Sequence, residues 1–223
     1  MNSSESELAS QLITLLAAGM LVIQLLMVVQ RMLLTSIRLF ALQSLMLAGI
    51  AAIVAFFHDN AIHVYWVAGL TLIGKVFFLP WLLNRLVRRI QIDQEIAPLL
   101  NSTASMLLCG GFTLLGYIVA RPFTSLERLG NNTLAIAITL LLTGFFLMFN
   151  RRKAITQVLA LLTVENGVML SAVALTSYGM PLVVELGIFF DVMVAVMVLG
   201  ILVYRIRETF SSMDVSKLSQ LKG

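Results

Sequence analysis

The chain has 223 residues, of which 60% are hydrophobic and 12% charged, with a formal net charge of +4, and its mean hydropathy is +0.99. A soluble domain carries roughly 45–50% apolar and about 25% charged residues, so this composition excludes a soluble enzyme or binding module and points to an integral membrane protein. The positive charge does not point to nucleic acid, because the basic residues fall in short segments between apolar runs, where topology signals belong.

The N-terminal segment, MNSSESELAS, is polar and acidic. It lacks the basic n-region of a signal peptide, so the first apolar run is expected to stay in the mature protein. A bilayer core takes about 20 mostly apolar residues per helix. Seven runs meet that length: 8–29, 37–57, 62–84, 102–120, 132–149, 154–177 and 181–204. The expected fold class is therefore all-α, a polytopic membrane protein of seven transmembrane helices. Pro122, Pro181, Asn101 and Asn131–Asn132 fit loops or helix starts, and Pro80, inside the third run, predicts a kink.

Orientation follows from the lysines and arginines. With the N-terminus outside, the inside segments hold Arg31 and Arg38, then Arg85, Arg88 and Arg89, then Arg151, Arg152 and Lys153, then Arg205, Arg207, Lys217 and Lys222. The outside segments hold only Arg121 and Arg128. This positive-inside bias predicts an outside N-terminus and a cytoplasmic C-terminus. An even number of helices would destroy the alternation. The 85–101 segment predicts either a short helix at the interface or a solvated loop. In the tail, Val215, Leu218 and Leu221 fit a docking face or a frayed end. Trp66, Trp81, Tyr65 and Tyr204 read as interfacial anchors, and Gly110–Gly111 as close packing.

Cys109, the single cysteine, lies inside an apolar run, and the two histidines, His58 and His63, lie near a loop. These exclude a disulfide scaffold and a Cys-ligated cluster, and they argue against a membrane b-type haem, which needs histidines within its helices. The expectation is no cofactor and no metal bound by this chain, and no catalytic centre of its own. Asn101-Ser102-Thr103 and Asn131-Asn132-Thr133 match glycosylation sequons but carry little weight.

The chemistry lies in the charges within the runs. Each charge at a bilayer centre costs at least about 2.5 kcal/mol on insertion scales. At 1.5 Å per residue, Lys75, Glu165 and Asp191 each lie about 14–16 Å from the end of their run, in a core about 30 Å thick. Their common depth suits a path in the membrane plane. Glu185 lies closer to the outer boundary and points about 120° from Asp191 on one helix. Gly187 and Ala195 flank Asp191 at i−4 and i+4, a small-residue stripe that suits close helix packing. Asn166, beside Glu165, points about 100° away from it. The candidate proton or ion pathway is Glu165, Asp191 and Lys75, with Glu185 added on weaker grounds. The bland alternatives are a protonated, hydrogen-bonded carboxyl or a structural pair between Lys75 and one carboxylate.

Three segments carry a resemblance: LLLTGFFLMFNRRK, LALLTVENGVMLSAVAL and FFDVMVAVMVLGILVYRIRE. Together they resemble the three-helix K-type membrane subunit of respiratory complex I. Glu165, followed by Ser171, Ala172 and Ala174, looks like that family's acidic second helix. Asp191, followed by Arg205 and Arg207, falls where its third helix has a glutamate, and Glu185 has no counterpart. Arg151, Arg152 and Lys153 match its first basic turn. The resemblance divides the chain into residues 1–130, a four-helix membrane region, and 131–223, a K-like three-helix region with a cytoplasmic tail. The chain as a whole resembles the component E family of hydrogenase-4, the second formate hydrogenlyase.

That resemblance implies a non-redox subunit of an energy-converting hydrogenase complex in the bacterial inner membrane. It implies antiporter-like and quinone-side-like membrane subunits as neighbours, with nickel–iron and iron–sulfur centres in soluble partners. The rival expectations are a stand-alone ion transporter and a purely structural scaffold. Transporters commonly show internal repeats and broken helices; Pro80 is the clear intrahelical proline, and no repeat is visible.

Overall fold

The structure is a computed structural model and describes residues 3–57, 69, 72–90, 98–123, 132–175, 187, 193–194, 197–198 and 200–201. The described elements are all helical. They are α1 (Ser3–Val29), α2 (Leu33–Phe57), a π-helix (Leu72–Phe78), α3 (Leu79–Ile90), α4 (Ser102–Ala120), a 3₁₀ turn (Arg121–Phe123), α5 (Thr133–Asn150) and α6 (Ala154–Leu175). Residues 187, 193, 194, 197, 198, 200 and 201 are also helical.

Five spans among the described residues are long and apolar enough to cross a bilayer: Glu7–Val29, Leu33–Phe56, Ser102–Phe123, Thr133–Asn150 and Ala154–Leu175. They match the first, second, fourth, fifth and sixth expected runs. Much of the third and seventh runs lies outside the described residues. A helix is the natural state of such segments, because it satisfies every backbone donor and acceptor internally where no water is at hand. Their outward faces are as apolar as their inward ones: Leu15 and Val22 of α1, and Leu107, Leu114 and Ile118 of α4, are all exposed. Apolar surface all round is what a membrane helix presents to lipid or to neighbouring helices.

The third run departs from expectation in two ways. Its chain is a π-helix immediately before Pro80. Pro80 has no N–H to give, and its ring excludes the carbonyl four residues back, so the preceding turn widens. The helix then runs on to Ile90 instead of ending near 84. Leu82, Leu83, Leu86 and Val87 are buried along it, and the Arg85 guanidinium lies 5.3 Å from the Trp81 ring centre. That apolar stripe keeps the basic stretch helical, so the 85–101 segment begins as helix.

Helices α5 and α6 form an antiparallel hairpin closed by glycine. A Cβ on Gly144 would sit 2.7 Å from Val164 Cγ2 and 3.1 Å from the Val164 nitrogen, and one on Gly167 would sit 3.0 Å from the Leu141 nitrogen. By contrast, Gly110 and Gly111 face outward, with nothing within 4 Å of an added Cβ. The expectation of close packing at that pair is therefore corrected, because the neighbouring helices lie on the other side of α4.

Several helix ends gather at one end of the bundle. Buried Arg151, just after α5, donates through Nη2 to the carbonyls of Met27 (3.0 Å), Val28 (3.1 Å) and Gln30 (2.6 Å) at the end of α1. Asn150 accepts at its backbone oxygen from the Leu99 N–H at 3.1 Å and at its side-chain oxygen from the Leu100 N–H at 2.8 Å. Asn101 caps α4 by accepting from the Ala104 N–H at 2.9 Å, a helix-start role for one of the sequon asparagines. Orphan donors and acceptors at helix ends are thus met by side chains.

Candidate functional site: a buried polar layer

The core divides into two main apolar clusters stacked along the helices. One contains Ile23, Met27, Ile37, Phe40, Leu83, Leu159 and Leu162. The other contains Ile13, Met20, Leu47, Ile50, Leu140 and Leu170. Polar residues lie at or next to the switch from one cluster to the other: Gln24 in α1, just after Ile23, Gln43 and Ser44 in α2, and Thr163, Glu165 and Asn166 in α6. All six are buried, as is Lys75 of the π-helix. They form one connected layer.

Lys75 Nζ lies 2.7 Å from Glu165 Oε1, with the two side chains 2% and 8% exposed. Lys75 also donates to Asn166 Oδ1 at 3.5 Å. Asn166 Nδ2 donates to Gln43 Oε1 and to Ser44 Oγ, both at 3.2 Å. Gln43 Nε2 donates to Gln24 Oε1 at 2.9 Å and to the Met20 carbonyl at 3.3 Å. Gln24 Nε2 donates to Thr163 Oγ1 at 3.4 Å, and that hydroxyl donates to the Ala160 carbonyl at 2.7 Å. Buried polar groups need partners, and these find them across four elements.

The local sequence explains the placement. Glu165 and Asn166 are successive, yet both reach Lys75. The expected 100° divergence on the helix does not separate them, because the long Lys75 side chain enters between them. The wide π-turn carries Lys75, and π-bulges recur at functional sites. Gly144 brings α5 against Thr163 and Val164, the turn that bears Glu165. A Cβ on Gly187 would sit 3.3 Å from Glu165 Oε1, so Gly187, a residue of the seventh run, lies beside this carboxylate.

Lys75 and Glu165 are thus brought together, while Asp191 and Glu185 lie outside the described residues. Gln24, Gln43 and Ser44 had gone unremarked in the sequence. Their signal was available: an amide in the middle of an apolar run is costly unless bonded. Two fixed opposite charges and a string of amides can bind, hold or release a proton at one carboxylate. Among the described residues no group of three or more His, Cys, Asp or Glu is placed to hold a metal ion.

Helices of this length, around a buried charged layer, define a polytopic membrane protein with a polar centre. Uncharacterized protein Rv0085 of Mycobacterium tuberculosis is 34% identical over 216 residues, covering 96% of this chain and 97% of that protein. The chain belongs to the same protein family. It is also distantly homologous to Hydrogenase-4 component E of Escherichia coli, 29% identical over 185 residues, covering 82% of this chain and 85% of that protein. The Shigella flexneri Hydrogenase-4 component E matches to the same extent. No family model matches the chain, and no solved structure does.

Proposed function

We propose that this chain is a non-redox integral membrane subunit of an energy-converting hydrogenase complex of the formate hydrogenlyase type, and that its buried layer takes part in proton or ion movement. The observation that carries the reading is the Lys75–Glu165 pair, 2.7 Å apart and buried between the helices. Intramembrane ionisable residues are by default functional. The homology to Hydrogenase-4 component E supports membership of a hydrogenase complex. In this reading Glu165 holds and releases a proton, and Lys75 is its partner. Asp191, four residues after Gly187, continues the pathway along the membrane plane, with Glu185 towards its outer edge.

The same reading assigns residues 131–223 a K-like role, flanked by antiporter-like and quinone-side-like subunits. It puts the chain in the bacterial inner membrane with the N-terminus outside, and leaves nickel–iron and iron–sulfur chemistry to soluble partners. Gentle-detergent purification through a C-terminal tag, with mass spectrometry and metal analysis, tests the assembly. Hydrogenase and antiporter-like subunits with nickel and iron are expected; a lone chain without metals after milder extraction returns the question to a stand-alone transporter. Within the complex, Glu165→Gln and Asp191→Asn are expected to preserve assembly and lower coupled proton movement. Full coupling in both would remove the pathway role.

The closeness of the pair also favours a second reading, an interhelical tie in a scaffold subunit. Exchanging the two, Lys75→Glu with Glu165→Lys, decides between them. Assembly restored with coupling intact supports the tie; assembly restored with coupling lost supports the pathway.

A further inference from the structure

The end of the bundle that Arg151 ties together holds a small cavity, between the ends of α1 and α5 and the starts of α2 and α6. Met27, Ser36, Arg151, Thr156, Leu159 and Ala160 line it. The centre of a water molecule has about 20 Å³ to move in there, and about 10–15 Å³ is enough to hold one water. The wall also carries the polar groups that a water needs. Buried Ser36 donates to the Met32 carbonyl at 3.1 Å, and buried Thr156 to the Lys153 carbonyl at 2.8 Å. A hydroxyl that donates still has two lone pairs with which to accept. Arg151, whose Nη2 donates to the carbonyls of Met27 and Val28, forms another part of the wall. Apolar cavities of this kind stay dry, whereas one that offers two or more polar partners holds water.

The cavity and the polar layer share one face on each of three helices. On α6, Thr156 and Ala160 line the cavity, and Thr163, three residues on, belongs to the layer. On α1 the corresponding pair is Met27 and Gln24, three apart, and on α2 it is Ser36 and Gln43, seven apart. Spacings of three, four and seven return to the same side of a helix. A hydrogen-bonded link joins the two places directly. Thr163 Oγ1 donates to the Ala160 carbonyl at 2.7 Å and accepts from Gln24 Nε2 at 3.4 Å. On the other side, Ser36 and Thr156 lie in the first turns of α2 and α6, beside exposed Met32, Arg152 and Gln157. The cavity thus stands between the helix ends and the layer.

We propose that this cavity binds a water molecule, donating to the Ser36 and Thr156 oxygens, and is the inlet through which water reaches the buried layer from the Arg151 end of the bundle. Ala160 has the smallest side chain in the wall, so a larger residue there fills the space. The inlet deepens the reading of the layer as a place of proton or ion movement, by naming the side from which it exchanges with water. It is read without turnover, so a dry cavity and a loss of coupling are separate results.

The test is solid-state nuclear magnetic resonance of the full chain, labelled with ¹³C and ¹⁵N in lipid bilayers, with magnetisation transferred from water protons to side chains. Thr139 and Thr143 are the internal controls. They are buried hydroxyls that donate to carbonyls of their own helix at 2.8 and 2.7 Å, and neither lines this cavity. In the wild type, early transfer is expected at Ser36 and Thr156, then at Thr163 and Gln24, with Thr139 and Thr143 late. In Ala160→Leu, transfer is expected to be lost at Ser36, Thr156, Thr163 and Gln24 and kept at exposed Gln157. Thr156→Val, which keeps the volume and removes one hydroxyl, serves if Ala160→Leu does not fold. It is expected to weaken transfer at Ser36, Thr163 and Gln24. Transfer at Ser36 and Thr156 as late as at the two control threonines overturns the water site. Transfer at Gln24 and Thr163 that is missing in the wild type, or unchanged in the folded variant, overturns the inlet.

Discussion

Lys75 and Glu165 are joined by a contact that spans 90 positions of sequence, and each is costly alone. Removing one partner of a buried ion pair typically costs about 3–5 kcal/mol, while removing both can be close to neutral. Lys75→Met should therefore destabilise the chain by about that amount, and Lys75→Met combined with Glu165→Gln should recover most of it. Denaturant unfolding of Lys75→Met, Glu165→Gln and the double variant in one detergent gives the coupling energy directly; a double-variant loss equal to the sum of the two single losses would show that the two groups do not interact. The charges themselves were legible in the sequence, because nothing else in an apolar run carries their cost. Their partners were not. Gln43 and Asn166 belong to different runs, and no spacing rule within one helix relates them. Gly144 is a similar case: its value lies in the 2.7 Å to Val164 Cγ2 that a Cβ would occupy, and the sequence shows only a glycine. Overpacking of this sort costs typically about 1–3 kcal/mol. Gly144→Ala should lower stability by that order, and a melting temperature equal to the wild type would mean that α6 retreats freely.

At the scale of the element, apolar length alone placed α1, α2, α4, α5 and α6, because in lipid a long apolar segment has no alternative to the helix. Ends were harder to read. The extension of α3 to Ile90 depends on Leu86 and Val87 being covered by other helices, and a count of apolar residues along 62–84 does not contain that information. The same holds for Arg151. In sequence it belongs to a basic turn that sets topology; in the fold it is buried and caps α1, more than a hundred residues away. A cation at a helix C-terminus also meets the negative end of the helix dipole. Arg151→Met leaves the carbonyls of Met27, Val28 and Gln30 without this donor, at about 1–3 kcal/mol for a buried group left unsatisfied. Hydrogen–deuterium exchange should then rise at residues 27–32 and leave the centre of α6 unchanged, with Arg151→Lys intermediate. Exchange that rises evenly across the bundle would assign Arg151 a global role in place of a local cap.

At the scale of the whole molecule, sidedness remains a matter of charge counting, which the fold constrains in one useful way. The end of α1, the start of α4, the end of α5 and the start of α6 are tied together by Arg151, Asn150 and Leu99. They must therefore all face the same side of the membrane. The sequence assigned each of these ends to the inside separately, from different arginines, and the side chains that join them are independent of that count. One label then reports for the whole bundle. In a Cys109→Ala background, Gln30→Cys in the α1–α2 turn and a cysteine in place of Ser4 should behave oppositely towards a membrane-impermeant maleimide added to intact cells. The Ser4→Cys position is expected to react, and Gln30→Cys to react only after the membrane is opened. The reversed pattern would turn the entire molecule over, placing Arg151, Arg152 and Lys153 outside against the positive-inside rule. It would also put any aqueous approach to Glu165 from the Arg151 end on the opposite face, and with it the direction in which a proton held there is taken up.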